Sequence, residues 1–131
     1  MIAVDANLLV RILADDPGQP GQVAAARALA SEAKQVFVPL VVQVETVWVL
    51  ESGSGLDKKS VIRALEHLEV NPAFVRQDED LSHRALALFR SCNAYFSDCV
   101  ILAGCRTRGL ELYTFDKRLG EVAGATPVPM G

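Results

Sequence analysis

The chain is poor in the residues that build covalent or soft-metal chemistry. Among its 131 residues are three cysteines and two histidines. Cys92, Cys99 and Cys105 are odd in number, have no CxxC spacing and lie among apolar neighbours. That excludes a disulfide framework or a cysteine-built zinc site and leaves buried, reduced thiols suited to a reducing compartment. His67 and His83 sit in charged helical stretches and read as solvated surface groups, so no Ser/His/Asp or Cys/His arrangement is evident. No Gly-rich P-loop (GxxxxGK followed by Ser or Thr) is present, which removes nucleotide hydrolysis of that kind. Long apolar runs are missing too. The most apolar stretch, Val36 to Leu50, contains Pro39, Gln43 and Glu45 and falls short of the ~20 residues of a spanning helix, so it reads as buried core. The first residues, MIAVDANLLVRILADD, lack the basic start and small-residue cleavage site of a secretory signal. The expectation is a soluble, cytoplasmic protein with no membrane contact. Positive charge is also in deficit: 13 Lys and Arg stand against 16 Asp and Glu, a net charge of −3. Taken alone, that speaks against a basic surface that grips nucleic acid.

What is present is a core. Half of the residues are hydrophobic, which excludes a disordered chain, and the length suits one domain over 1–131. Apolar runs at Ile2–Val4, Val36–Val38, Ala73–Val75 and Leu110–Phe115 read as strands, and Val128 adds a short edge strand. Between them, helical spacing covers Asn7–Leu13, Gln22–Lys34, Val41–Glu51, Asp57–Leu68, Asp80–Phe89 and Ser97–Arg108, with Ser97 as the cap of the last. Strands alternating with helices predict an α/β fold: a short, mostly parallel central sheet of four to five strands with helices on both faces.

Four carboxylates gather meaning from that architecture. Ligands of open parallel sheets bind beyond the carboxyl ends of the strands. Asp5 closes the first strand (IAVD), Asp116 closes a later one (YTFD), and Asp98 stands in the first turn of a helix. Each alone has an ordinary reading, as a helix cap or a first-turn partner of the helix dipole. Glu45 is different: its helical neighbours are Val41, Val42, Trp48 and Val49, with no Lys or Arg a turn away. A carboxylate there is expected to be desolvated and to need a proton, a cation or a metal. One hard divalent cation, Mg²⁺ or in its place Mn²⁺, would answer all four acids and supply phosphoryl chemistry. Ser97 and Thr114, beside Asp98 and Asp116, suit hydrogen bonding to those carboxylates or to water, and equally a helix cap and a plain strand position.

With these residues in view, the chain resembles the PIN-domain ribonucleases, in particular the VapC-type toxins of toxin–antitoxin pairs. The resemblance is carried by IAVDANLLVRIL, VVQVETVWVL, FSDCVILAGCRTRG and LYTFDKRL, in that order and over essentially the whole chain. It implies a PIN-like fold and a Mg²⁺-dependent endoribonuclease with Asp5, Glu45, Asp98 and Asp116 as its acidic quartet. Asp5 and Asp98 would be the most direct metal ligands, and Asn7 and Thr114 match supporting polar positions. It further implies cleavage of an RNA by a metal-activated water, a homodimer, and a small VapB-type antitoxin that blocks the groove. The RNA itself stays open among tRNA, rRNA and mRNA. Two departures are plain: many relatives carry an Asp where this chain has Tyr95, and another soon after the fourth acid, where Lys117, Arg118 and Leu119 stand. They bear on metal number and water placement.

Arg11, Lys117 and Arg118 are candidates for RNA phosphate contacts, while Arg106 and Arg108 read better as partners of a helix C-terminus. Competing readings are weaker. A phosphotransfer receiver domain needs paired acids closing strand one and a Lys closing the last strand, and neither is in place. A metal-dependent phosphatase of the haloacid-dehalogenase kind normally has an acid where Asn7 stands, and leaves Glu45 unexplained. A non-catalytic PIN-type module binding RNA or protein tends to lose members of the acidic set, and all four are here. Setting the four proposed ligands aside leaves 12 acids against 13 bases, so the deficit of positive charge resides in the proposed metal site.

Overall fold

The computed structural model describes residues 1–131, and the chain folds as two compact units, Met1–Glu79 and Asp80–Gly131. No helix is long and apolar enough to cross a membrane. The architecture is α/β, as the alternation of patterns predicts.

In the first unit, β1 (Ile2–Ala3), β2 (Val36–Val38) and β3 (Phe74–Arg76) form a parallel sheet in that order, with Ile2 opposite Val36 and Phe37 opposite Val75. The connections are α1 (Ala6–Leu13) and α2 (Pro20–Ala33), then α3 (Leu40–Ser52) and α4 (Lys58–Val70). Pro20 takes the first helical position of α2, where its missing N–H costs nothing. Asp57 caps α4 by accepting from the Ser60 N–H at 2.9 Å. The Ser60 side chain first, and then this backbone bond, hold the Asp57 carboxyl below its ordinary value of 3.8, so the stabilising effect is present above 3.8 and fades as pH falls. Leu9, Val36, Val38, Val47, Leu50, Val61 and Leu68 are fully buried, and α1 packs on both α2 and α3.

The second unit contains α5 (Glu79–Ser91, whose first residue closes the first unit), α6 (Phe96–Thr107), β4 (Leu112–Thr114), α7 (Lys117–Gly120) and β5 (Ala125–Pro127). Strands β4 and β5 pair in parallel as a separate two-stranded sheet. The single sheet expected from the sequence is therefore divided three and two. Strands of two or three residues offer few ladder bonds, and alternation alone does not say which strands share a ladder. The strand expected at Val128 lies a residue or more earlier, at Ala125–Pro127. Phe89 and Phe96 meet edge to face at 5.5 Å. Cys92 and Cys99 form no disulfide and have their sulfurs 3.7 Å apart; Cys99 is buried and Cys92 half-buried, as is Cys105.

Two glycines are required here. Gly109, at φ +67°, turns the chain out of α6. Gly124 has φ +96°, and a Cβ there would lie 2.9 Å from Arg106 Nε and 3.3 Å from Leu102 Cδ1. Gly124→Ala is expected to cost about 1–3 kcal/mol from the backbone conformation alone. Urea unfolding would measure it, and a loss near zero would show that the loop relaxes freely.

Candidate functional site

The first unit carries Asp5 and Glu45. Strands β1 and β2 are parallel, so their carboxyl ends lie at the same edge of the sheet. Asp5 follows β1 by two residues, while α3 starts two residues after β2 ends and carries Glu45 in its second turn. Asp5 is exposed and caps α1, its Oδ1 accepting from the Leu8 N–H at 2.9 Å. An ionised carboxylate offers about four acceptor sites, so the cap fixes its orientation and leaves capacity for a cation. Asn7 is exposed in the first turn of α1.

Glu45 departs from expectation. It is exposed, not desolvated among apolar side chains. The buried residues of α3 are Val42, Gln43, Thr46, Val47 and Leu50, and the opposite face presents Val41 (66 % exposed), Glu45 and Trp48 (70 %). This helix is apolar on both faces, so periodicity could not say which one the core would take. Burial therefore gives Glu45 no need for a cation. Its standing rests on its place at the edge that also holds Asp5.

The joint that aims α3 was missed by sequence reasoning. Gln43, 2 % exposed, donates from Nε2 to the Val38 carbonyl at 3.3 Å and to the Gln77 carbonyl at 3.2 Å. Gln77 Oε1 in turn accepts from the Leu40 N–H at 2.9 Å, serving the start of a helix whose N-cap, Pro39, has no side chain able to do so. The available signal was a glutamine inside an apolar run, since a buried amide must find partners.

The second unit carries Asp98 and Asp116. Asp98 is half-buried in the first turn of α6. Asp116 follows β4 and caps α7, its Oδ1 accepting from the Leu119 N–H at 2.9 Å. Thr114 Oγ1 accepts from the Asp116 N–H at 2.9 Å, which pins the backbone that presents this carboxylate. Burial raises the Asp98 carboxyl above its ordinary 3.8, and the charge of Asp116 raises it further. Ser97 does not cap α6: Tyr95 is the N-cap and Ser97 lies half-buried in the first turn, because the cap falls two residues earlier than the pattern suggests.

No group of three or more His, Cys, Asp or Glu side chains able to hold a metal ion is present. Asp5 and Glu45 lie in the first unit, Asp98 and Asp116 in the second. Four carboxylates are hard oxygen donors and match a hard divalent cation in kind.

Of the basic candidates, Arg11 is committed within its own unit, to Asp16 Oδ2 at 3.0 Å and Gln22 Oε1 at 3.2 Å. Lys117 and Arg118 are exposed on α7, and the Arg118 guanidinium lies 5.9 Å from the centre of the Tyr95 ring. His67 and His83 are exposed.

The family model described as "PIN domain" matches residues 2–125, a span that takes in all four acids and both units. A search of curated proteins finds no match. Among solved structures, the chain is similar to Mycobacterium tuberculosis VapC20, described as a Sarcin-Ricin loop cleaving toxin. The identity is 18%, covering 92% of this chain and 93% of that one, with a TM-score of 0.45.

Proposed function

The chain belongs to the PIN domain family, and on that premise we propose that it is a Mg²⁺-dependent endoribonuclease, the toxin of a VapBC-type pair. The observation that carries this reading is the placement of Asp98 in the first turn of α6 and of Asp116 directly after β4, both within the matched span.

In this reading Asp5 and Asp98 bind the cation most directly, and Glu45 and Asp116 complete the set. Bound there, Mg²⁺, or Mn²⁺ in its place, would polarise the scissile phosphate, lower the pKa of a water and offset charge on the leaving oxygen. The chain's own residues do the positioning. The caps of α1 and α7 hold Asp5 and Asp116 by one oxygen each. Thr114 fixes the Asp116 backbone, with Ser97 and Asn7 as polar support beside Asp98 and Asp5. Lys117 and Arg118 take substrate phosphates; Arg11 does so only by giving up its bond to Asp16. The protein works in the cytoplasm as a homodimer, held in check by a small VapB-type antitoxin.

Incubation of the purified chain with total cellular RNA, with and without Mg²⁺, tests the reading when cut ends are mapped by sequencing. Discrete Mg²⁺-dependent cuts are expected, and equal cleavage in EDTA would sink the mechanism. Growth arrest on expression, relieved by a co-expressed small neighbour protein, tests the toxin role separately.

A further inference from the structure

Two cavities of 380 and 460 Å³ open on the second unit and share Leu88, Ser91 and Arg106 as a common wall. The smaller also exposes Arg84 and Thr107; the larger exposes Asn93 and Arg118. Their walls carry three arginines against one acid, Glu121. Such an excess is not what composition suggests for a chain of net charge −3.

Arg106 is built into this groove. Its Nη2 donates to the Ala123 carbonyl, and its Nε lies only 2.9 Å from where a Cβ on residue 124 would stand, so the glycine makes room for it. A guanidinium carries five N–H donors, and one is used on Ala123. A side chain held in this way has already lost much of the rotamer freedom that ligand binding would otherwise remove. Arg118 comes two residues after Asp116, and its guanidinium rests against the Tyr95 ring. Arg84 lines one cavity, Arg118 the other and Arg106 both, so Arg106 stands between the other two. Ser91, Asn93 and Thr107 add neutral hydrogen-bonding groups along the same line.

We infer that this groove binds the phosphodiester backbone of an RNA strand, with Arg106 as its central anchor and Arg84 and Arg118 engaging flanking phosphates. The choice of RNA over another polyanion rests on the nuclease reading; the arginine groove does not. Three cations spaced along an open channel suit a chain of repeating charges better than a single small anion.

The test is fluorescence anisotropy with a single-stranded RNA of about 12 nucleotides, in EDTA so that nothing is cut, across roughly 50–300 mM KCl. Arg106→Ala is expected to weaken binding about tenfold near 0.1 M salt and to flatten the log–log salt slope by about 0.7, the value of one lost contact to a single strand. Arg84→Ala, whose recorded tie is an exposed ion pair to Asp80, should flatten it similarly and serves if Arg106→Ala does not fold. Arg63→Ala, an exposed arginine of α4 in the first unit, should change neither quantity. Unchanged affinity and slope in both Arg106→Ala and Arg84→Ala would overturn the groove, and a poly-glutamate peptide competing as well as RNA would overturn its assignment to an RNA backbone. The nuclease reading fails separately. Arginine-dependent binding with no Mg²⁺-dependent cleavage would sink that reading and keep the groove, and cleavage with arginine-independent binding would do the reverse.

Discussion

Asp98→Asn is expected to cut RNA cleavage by at least about a hundredfold, since altering groups that merely support a metal ligand already costs 10- to 100-fold. The same substitution should make the metal-free protein more stable at neutral pH. Asp98 has its carboxyl raised by burial and then by Asp116. A carboxyl raised in the folded state favours folding while protonated, below its ordinary 3.8. That contribution is lost as pH climbs through the raised value, so at pH 7 the ionised group weighs against the fold. Asparagine is neutral throughout. Its gain in Tm should appear at pH 7 in EDTA and disappear below pH 3.8, and because Asp98 is only half-buried the gain should be small. Thermal melts at the two pH values, beside initial cleavage rates in Mg²⁺, measure both effects. A loss of stability at pH 7 would mean that Asp98 is a structural residue and would remove the reason for placing a cation beside it.

Gln43→Ala is expected to cost about 2–4 kcal/mol, lowering Tm by roughly 10 °C in a chain of this size. The substitution opens space under α3 and strips a donor from two carbonyls, Val38 and Gln77, at the end of β2 and beyond β3. Gln43→Leu fills most of the space but takes a donor from both carbonyls, Val38 keeping only its bond from the Gln77 N–H at 2.9 Å, so it should remain destabilised by about 1–2 kcal/mol. Full stability in Gln43→Leu would show that packing alone matters at this joint. Because Glu45 lies two residues further along the same helix, a disturbed joint should also slow cleavage, although Gln43 touches no substrate.

Whether a feature was legible in the sequence depended on how local its cause is. Asp5 and Asp116 were readable because a strand followed by an acid is a contiguous pattern, and both cap the helix that follows. Helix α4 and strand β2 fall within two residues of their expected limits, each bounded by a nearby signal, Asp57 before α4 and Pro39 after β2. Glu45 was located on the right helix and assigned to the wrong environment. The face that α3 buries is chosen by its packing against α1, and apolar residues on both faces give no local clue to that choice. Ser97 failed for a related reason: Tyr95 takes the N-cap with an extended backbone, a conformation open to any residue, so no capping side chain marks the helix start. The pairing of β4 with β5 apart from the other strands is a tertiary outcome, written in no single segment.

The charge deficit has a location under this reading. Four of the sixteen acids form the proposed ligand set, and three arginines line one groove of the second unit. A chain of net charge −3 is then able to hold a polyanion, provided its charges are segregated and a cation is bound.

A titration of Mn²⁺ into the metal-free protein, followed by the disappearance of the free-ion signal, bears most directly on the four carboxylates. Wild type should bind Mn²⁺, and Asp5→Asn and Asp98→Asn should each weaken the tightest site by about a hundredfold or more. Undiminished Mn²⁺ binding in either variant would contradict a shared metal centre built from Asp5, Glu45, Asp98 and Asp116.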